Sequence, residues 1–286
     1  MSCYICGSIE TKNRPGSVRG EPEVNILECV DCGLVYLSSI AHIDESHYED
    51  SGMHANNVPN IEGWLELTQK DDERRFNFLK SKIKNKKILD FGCGIGGFIQ
   101  KAQELGSLVK GVELEVAIQD SFKERNLSVY PDVKSAIHAG IKWDLITTFH
   151  VFEHLLDPLA MLNELSLLLA EGGEIIIEVP NSDDALLVLY KNKGFQNFVY
   201  WSQHIYVFNE LTLKALIEKS GLRINWTKHI QRYPLSNHLY WLANNKPQGH
   251  EIWDFINDTD MDQKYEEQLA KKNMTDTIIM SVGFNI

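Results

Sequence analysis

The sequence predicts an α/β fold: a doubly wound parallel sheet preceded by a small N-terminal zinc ribbon. Three observations carry this. From Lys86 onward, strand-like runs alternate with helix-like runs of 10 to 16 residues, the pattern of parallel strands joined by crossover helices. A glycine-rich turn, "DFGCGIGG", stands between the first of these strands and its helix. Upstream, Cys3-x-x-Cys6-Gly7 and Cys29-x-x-Cys32-Gly33 repeat one motif.

The bulk numbers bound the rest. A chain of 286 residues holds one sizeable domain and an appendage. A formal charge of −12 repels phosphate backbones, so no nucleic-acid partner is expected. The densest basic run, "LKSKIKNKK" (79–87), leads into a strand and reads as a solvated helix end. No apolar run approaches the ~20 residues that span a bilayer, and "MSCYICGS" lacks the features of a signal peptide. No membrane association and a cytoplasmic location are therefore expected. In a reducing compartment five cysteines do not read as a disulfide framework.

The cysteine pairs read as metal ligands. Two residues between cysteines let one tight turn aim both sulfurs at one ion, and the following glycine accepts a positive φ. Twenty-two residues separate the pairs, compatible with a four-cysteine zinc site. Cys3, Cys6, Cys29 and Cys32 would close a tetrahedron, so the zinc would be structural. The alternative is four buried free thiols. Cys93, inside the glycine turn, reads as a small residue lining that turn.

Residues 1–40 thus read as a zinc ribbon. Residues 41–85 read as a linking arm and an N-terminal helix, and 86–286 as the main domain. The stretch "LVYLSSIAHIDESHYEDSG" has no clear period and begins the arm. Ile61, Trp64, Leu65, Phe76, Leu79 and Ile83 recur at helical spacing. Strands follow at "KKILDFG", "SLVKGVEL", "LSVYPDV", "WDLITTFHV", "EIIIEVP", "LRINWTKHI" and "TDTIIMSVGFNI". Helices are read at "GGFIQKAQELG", "EVAIQDSFKERN", "PLAMLNELSLLLAEGG" and "NELTLKALIEKSGL". Pro158 starts the third of these helices, and Asn209 and Gly221 cap and stop the fourth. The 231–275 stretch is too long and aromatic for a loop and is expected to fold into a helical lid over the site.

Gly92-x-Gly94-x-x-Gly97 fits a dinucleotide-binding turn. Asp90, two residues upstream, argues otherwise, because a carboxylate would repel a diphosphate. S-adenosylmethionine carries an ammonium and a sulfonium and no phosphate, so an acid at the strand tip suits it. Glu113, 23 residues beyond Asp90, ends the next strand, where an acid can accept from both ribose hydroxyls.

"ILDFGCGIGGF", "VELE", "WDLITTFHVFEHLLDP" and "LLAEGGEIIIEVPN" resemble the successive motifs of class I S-adenosylmethionine-dependent methyltransferases, over roughly residues 86–230. The CGLVY-ended ribbon, "HIYVFNELTLKALIEKSGL" and "YPLSNHLYWL" resemble those of bacterial surface-polysaccharide and modified-sugar pathways. The resemblance implies a seven-stranded Rossmann-like sheet with its last strand antiparallel and a helical insertion before that strand. It also implies that Asp90, Gly92, Cys93, Gly94 and Gly96 surround the methionine part, Glu113 the ribose, and Asp132 and Phe149 the adenine.

Two histidine groups compete for the chemistry. His150-x-x-Glu153-His154 follows the fourth strand, at the ligand-binding edge of such a sheet. It is similar to a Glu-x-x-Glu-His metal motif of one methyltransferase group, but His150 replaces the first glutamate. His204, in "YWSQHIYVF", stands where sugar C-methyltransferases carry a fuller cluster, so it is the candidate base for an oxygen acceptor. Asn237 and Tyr206 are the candidate substrate contacts. Tyr233, His238, Tyr240, Trp241 and Trp253 form either lid core or a sugar-stacking surface. The predicted activity is methyl transfer to a small molecule, a sugar nucleotide or surface-glycan precursor, with oxygen favoured over carbon or nitrogen. The rivals are a nicotinamide dehydrogenase, against which Asp90 argues, and a non-catalytic methyltransferase-like binding subunit.

Overall fold

The computed structural model describes residues 2–43 and 60–284. Most of the expected linking arm therefore lies outside the described residues. Within the ribbon, strand β3 (Val35–Leu37) forms an antiparallel meander with β1 (Thr11–Asn13) and β2 (Ile26–Cys29).

Helix α1 (Ile61–Ile83) starts at Asn60, whose side chain accepts from the Gly63 N–H. It buries Asp72, Phe76, Leu79 and Ile83, one stripe at a helical period. The alternation then proceeds through β4 (Lys87–Phe91), α2 (Gly97–Ala102), β5 (Leu108–Val112), α3 (Gln119–Glu124), β6 (Val129–Tyr130), α4 (Val133–His138), β7 (Trp143–Phe149), α5 (Pro158–Ser166) and β8 (Leu169–Pro180). Two short helices, α6 (Ala185–Val188) and α7 (Lys193–Val199), precede β9 (Tyr206–Val207). Helix α8 (Glu210–Lys219) leads to β10 (Arg223–Ile230). The insertion holds α9 (Leu235–Asn244), α10 (Gly249–Ile252) and α11 (Thr259–Ala270) before β11 (Thr277–Gly283).

The seven-stranded sheet has the order β10-β11-β8-β7-β4-β5-β6, and β11 runs antiparallel to both its neighbours. This is the expected sheet. A reversed last strand needs no crossover helix, so the insertion is released to cover the sheet's edge. Side chains alternate between the two faces, as the two-residue period requires. Ile175, Ile177 and Val179 of β8 join one core with Leu162, Leu165, Leu213 and Leu216 from α5 and α8. Ile176 joins the other, with Phe76, Leu79, Phe98 and Phe122 from α1, α2 and α3.

Two local readings are corrected, and one contact is added. The helix expected to run to Gly173 ends at Ser166, and β8 begins at Leu169. Gly172 has φ +70°, and a Cβ on Gly173 would lie 2.8 Å from the Trp143 carbonyl oxygen. The glycine pair thus shapes a bulge where the register jumps between Trp143 and Leu145. Helix α4 follows the shortest strand, and Asp132 caps it by accepting from the Ser135 N–H at 2.6 Å. Finally, the ribbon is not set apart from the main fold. Strand β9 pairs with β3, and Cys3, Ile5, Leu34 and Tyr36 are buried in the same core as the sheet.

Candidate active site

The chain winds outward in one direction through β4, β5 and β6 and in the other through β7 and β8. The crevice above that switch point, at the strands' carboxyl ends, is where such sheets bind ligands. A cavity of about 860 Å³ lies there, toward the upper end of the ~300–1,000 Å³ common for small-molecule sites.

The glycine turn forms one wall. Gly92, Gly94 and Gly96 have φ of +71°, +51° and +80°, a left-handed region that disfavours side chains. A Cβ on Gly92 would come within 2.5 Å of Val151, whereas one on Gly94 would meet open space. The backbone at Gly94 is therefore exposed to a ligand in the cavity. Gly97 has a packing duty instead, since its Cβ would lie 2.1 Å from Asp72 Oδ2 on α1.

Asp90 and Glu113 both face this cavity. Asp90 is buried and accepts from Thr147 Oγ1 at 2.7 Å. Burial pushes its pKa up to about 7. Glu113 accepts from the Gly94 N–H at 2.8 Å and from the Glu115 N–H at 3.0 Å. It too is raised by burial. Phe149 packs edge-on against Phe98 at 5.0 Å, under the Arg75 guanidinium at 4.6 Å. Cys93 also lines the cavity.

Two expected cofactor residues do not line it. Gly96 is the N-cap position of α2. Asp132 is spent as the cap of α4, whose Ser135 N–H lowers its pKa.

The histidines gather further along the same cavity. His150 has φ +55°, a sparsely populated conformation for a side-chain-bearing residue. Its N–H donates to the Glu178 carbonyl at 2.8 Å. His150 Nε2 lies 3.1 Å from Arg232 Nη1 and 3.3 Å from Glu178 Oε1, and its Nδ1 lies 3.2 Å from Glu153 Oε1. His154 Nδ1 donates to the Gln203 carbonyl at 3.0 Å, and its ring meets His204 edge to face at 4.8 Å. Burial lowers His204 to about 3, with His154 adding to the effect.

Glu153 is fully buried, and its Oε2 has no hydrogen-bond partner among the described residues. Burial would raise its pKa, but the His150 hydrogen bond and the neighbouring imidazoles hold it below the usual value. Glu153, His154 and His204 each offer one ligand atom, all within 4.8 Å of one another. His204 thus completes a three-donor set in which His150 has no part.

An ion network that the sequence reading missed stands behind His150. Glu178 of β8 is fully buried and accepts from Arg74 and Arg75 of α1 at 2.8 to 3.1 Å. Its pKa lies well below the usual range, because the two arginines and His150 overcome burial. Arg232, at the start of the insertion, pairs with Asp71 of α1. The signal was present: a glutamate inside the apolar run "EIIIEVP" requires a buried cation, and "DDERR" supplies two.

Of the candidate substrate contacts, Asn237 is buried at the cavity wall. Tyr206 is not there. It lies in β9, stacks on Tyr4 at 5.1 Å and donates to the Leu156 carbonyl at 3.4 Å. The insertion's aromatic patch divides. Tyr233, His238 and Trp241 line the cavity, while Tyr240 and Trp253 pack on each other at 5.1 Å.

The four ribbon sulfurs lie within 4.8 Å of one another, with Cys3–Cys32 at 3.4 Å and Cys6–Cys29 at 3.5 Å. A tetrahedral ion with Zn–S of about 2.3 Å sets its sulfurs about 3.8 Å apart, so the cluster fits one. Gly7 and Gly33 have φ of +75° and +81° and donate their N–H to the carbonyls of Cys3 and Cys29. These are the two turns that aim the sulfurs.

Comparison with known proteins places this architecture. A ubiquinone biosynthesis O-methyltransferase of Coxiella burnetii is 27% identical over 179 residues, which span 57% of this chain and 75% of that one. The structure of a Burkholderia thailandensis 1,6-didemethyltoxoflavin-N1-methyltransferase with bound S-adenosylhomocysteine is similar, with TM-score 0.51 and 14% identity over 90% of this chain and 98% of that one. A magnesium protoporphyrin IX methyltransferase from Synechocystis, also with bound S-adenosylhomocysteine, gives TM-score 0.50 and 14% identity over 84% and 97%. The family model for the methyltransferase domain matches residues 65–226, more than half of the chain, from α1 into β10. The chain belongs to this methyltransferase-domain family.

Proposed function

We propose that this chain transfers a methyl group from S-adenosylmethionine to a small-molecule acceptor, a sugar nucleotide or a related surface-glycan precursor, at an oxygen atom. The carrying observation is the continuity of the cavity. It runs from the glycine turn and its two carboxylates to the paired histidines and on to an aromatic wall of Phe198, Trp201 and Trp241.

At one end Asp90, the Gly94 backbone and Glu113 suit the cationic methionine part and the ribose, and Phe149 with Phe98 gives an apolar face for the adenine. At the other, ring-bearing acceptors can stack. The ribbon, with a structural zinc on its four cysteines, closes one side. A screen of nucleotide sugars with isotope-labelled methyl donor, read by mass spectrometry, tests this; conversion of none overturns the sugar acceptor. Uptake of label at carbon or nitrogen would instead overturn the oxygen assignment.

The Glu153, His154 and His204 arrangement favours a second reading of the base. General bases work best with a pKa near the operating pH, and His204 lies far below it. The partnerless Glu153 oxygen and two neighbouring imidazoles suit a divalent cation. Such an ion, when bound, acidifies a hydroxyl, and the protein's part is then to hold the acceptor against Asn237. Loss of turnover on chelation, restored by Fe²⁺ or Mn²⁺ in the wild type and not restored in Glu153→Gln, tests it. Full activity in chelator overturns it.

A further inference from the structure

Arg19 belongs to the ribbon, yet it lines the cavity. Two other arginines there are matched: Arg75 pairs with Glu178, and Arg232 with Asp71. Arg19 has no acidic partner among the described residues. Its guanidinium lies over the Phe198 ring at 4.3 Å and the Trp201 ring at 5.7 Å. Partial burial lowers its pKa. A guanidinium keeps its charge in any such setting, and its planar fork matches oxyanions.

The placement is built. The Arg19 N–H donates to the Tyr200 carbonyl at 2.9 Å, and the Ser202 N–H donates back to the Arg19 carbonyl at 3.0 Å. Val18 is buried in one cluster with Tyr200. Gly16 has φ +134°, and its Cβ would lie 2.4 Å from the Gln196 carbonyl oxygen; a Cβ on Gly20 would lie 2.9 Å from Ser202 Oγ. Both glycines are needed for the ribbon loop to approach the 196–202 segment this closely. That loop is bounded by the two cysteine pairs, and the segment it grips continues to His204, whose ring lies 5.8 Å from Trp201.

We propose that Arg19 is the acceptor's anion anchor: it takes an oxyanion carried by the acceptor, phosphate or carboxylate, against the Phe198–Trp201 wall. The ribbon is then a working part of the acceptor site. This rests on the reading that the cavity holds a small-molecule acceptor beside the cofactor.

The test is calorimetry on the full-length protein, titrated with uridine diphosphate in one arm and malonate in the other, with and without saturating S-adenosylhomocysteine. Saturable binding of uridine diphosphate identifies a phosphate anchor; binding of malonate identifies a carboxylate one. Arg19→Gln should weaken the anion by about tenfold or more, the scale of a charge-assisted hydrogen bond. Arg19→Lys, which keeps charge but loses the fork, should weaken it less. S-adenosylhomocysteine binding should be unchanged in both variants. Equal anion binding by wild type and Arg19→Gln, or no binding of either anion by wild type, overturns the proposal. Failure of S-adenosylhomocysteine to bind wild type would strike the methyl-transfer reading instead, and the cofactor-free titrations would still decide on Arg19.

Discussion

The Gly94 N–H donates to Glu113 Oε2 at 2.8 Å, so the acid proposed to hold the ribose also fastens the glycine turn that faces the ligand. Turn and acid form one unit. Glu113→Ala should therefore weaken S-adenosylhomocysteine binding by more than one lost ligand contact, about tenfold to a hundredfold. Glu113→Gln, which keeps an acceptor for Gly94, should retain part of the affinity. Calorimetry on both variants checks this, and equal losses would separate the turn from the acid.

Gly97 and Asp72 are closely apposed, with 2.1 Å between a Cβ placed on the glycine and the aspartate oxygen. Gly97→Ala should destabilise the fold by about 1–3 kcal/mol, the usual cost of overpacking. Adding Asp72→Ala should recover part of that loss, because residues in contact couple. Thermal unfolding of the single and double variants measures it, and strict additivity would refute the contact.

The buried Glu178 neutralises Arg74 and Arg75. Glu178→Ala leaves Arg74 and Arg75 only Asp71 and Asp72 of their own helix as partners, and should cost about 3 kcal/mol, the low end for a broken buried pair. Chemical denaturation reads the loss directly. A cost under ~1 kcal/mol would mean that the network contributes little.

His238 is buried, 1% exposed, and burial lowers its pKa to about 4. Its unfolded value is near 6.5. Between these values the unfolded chain binds the proton and the folded one does not, so stability should fall as pH drops from about 6.5 toward 4. At pH 5 the interval of 1.5 units corresponds to about 2 kcal/mol at ~1.36 kcal/mol per unit. His238→Asn should flatten this slope whatever its effect at pH 7. An unchanged slope would place the acid sensitivity elsewhere.

The four ribbon sulfurs are grouped to hold one ion. Freshly purified protein should contain about one zinc per chain, and Cys29→Ser should lose it and lower thermal stability. Because Cys3 and Leu34 share the sheet's core, the loss should reach the main fold. Substoichiometric zinc in the wild-type chain would exclude the site.

Much of the architecture was legible in the chain. The period of α1, the strand–helix alternation and the Asn209 cap are local signals, and a helix or strand that must bury one face writes its period into the sequence. That Asp90, Gly92, Gly94 and Glu113 meet at one cavity follows from a related local signal, since positive φ favours glycine and strand tips place acids at one edge. An acid beside a strand end and an N-cap look alike in sequence, and only the Ser135 N–H shows that Asp132 caps α4. A two-residue strand carries no period, so nothing local revealed that Tyr206 faces Tyr4 of the ribbon.

By itself, the sequence determined the elements, the sheet's alternation, the glycine turn with its acids and the cysteine pairs, because each depends on residues near in the chain. The tertiary structure decided what no local pattern encodes. It brought His204 to Glu153 and His154, set Glu178 against α1, and brought Arg19 of the ribbon onto Phe198 and Trp201. These pairings unite residues from about 50 to 180 positions apart, and only the folding of the sheet and the docking of β3 on β9 bring them within reach.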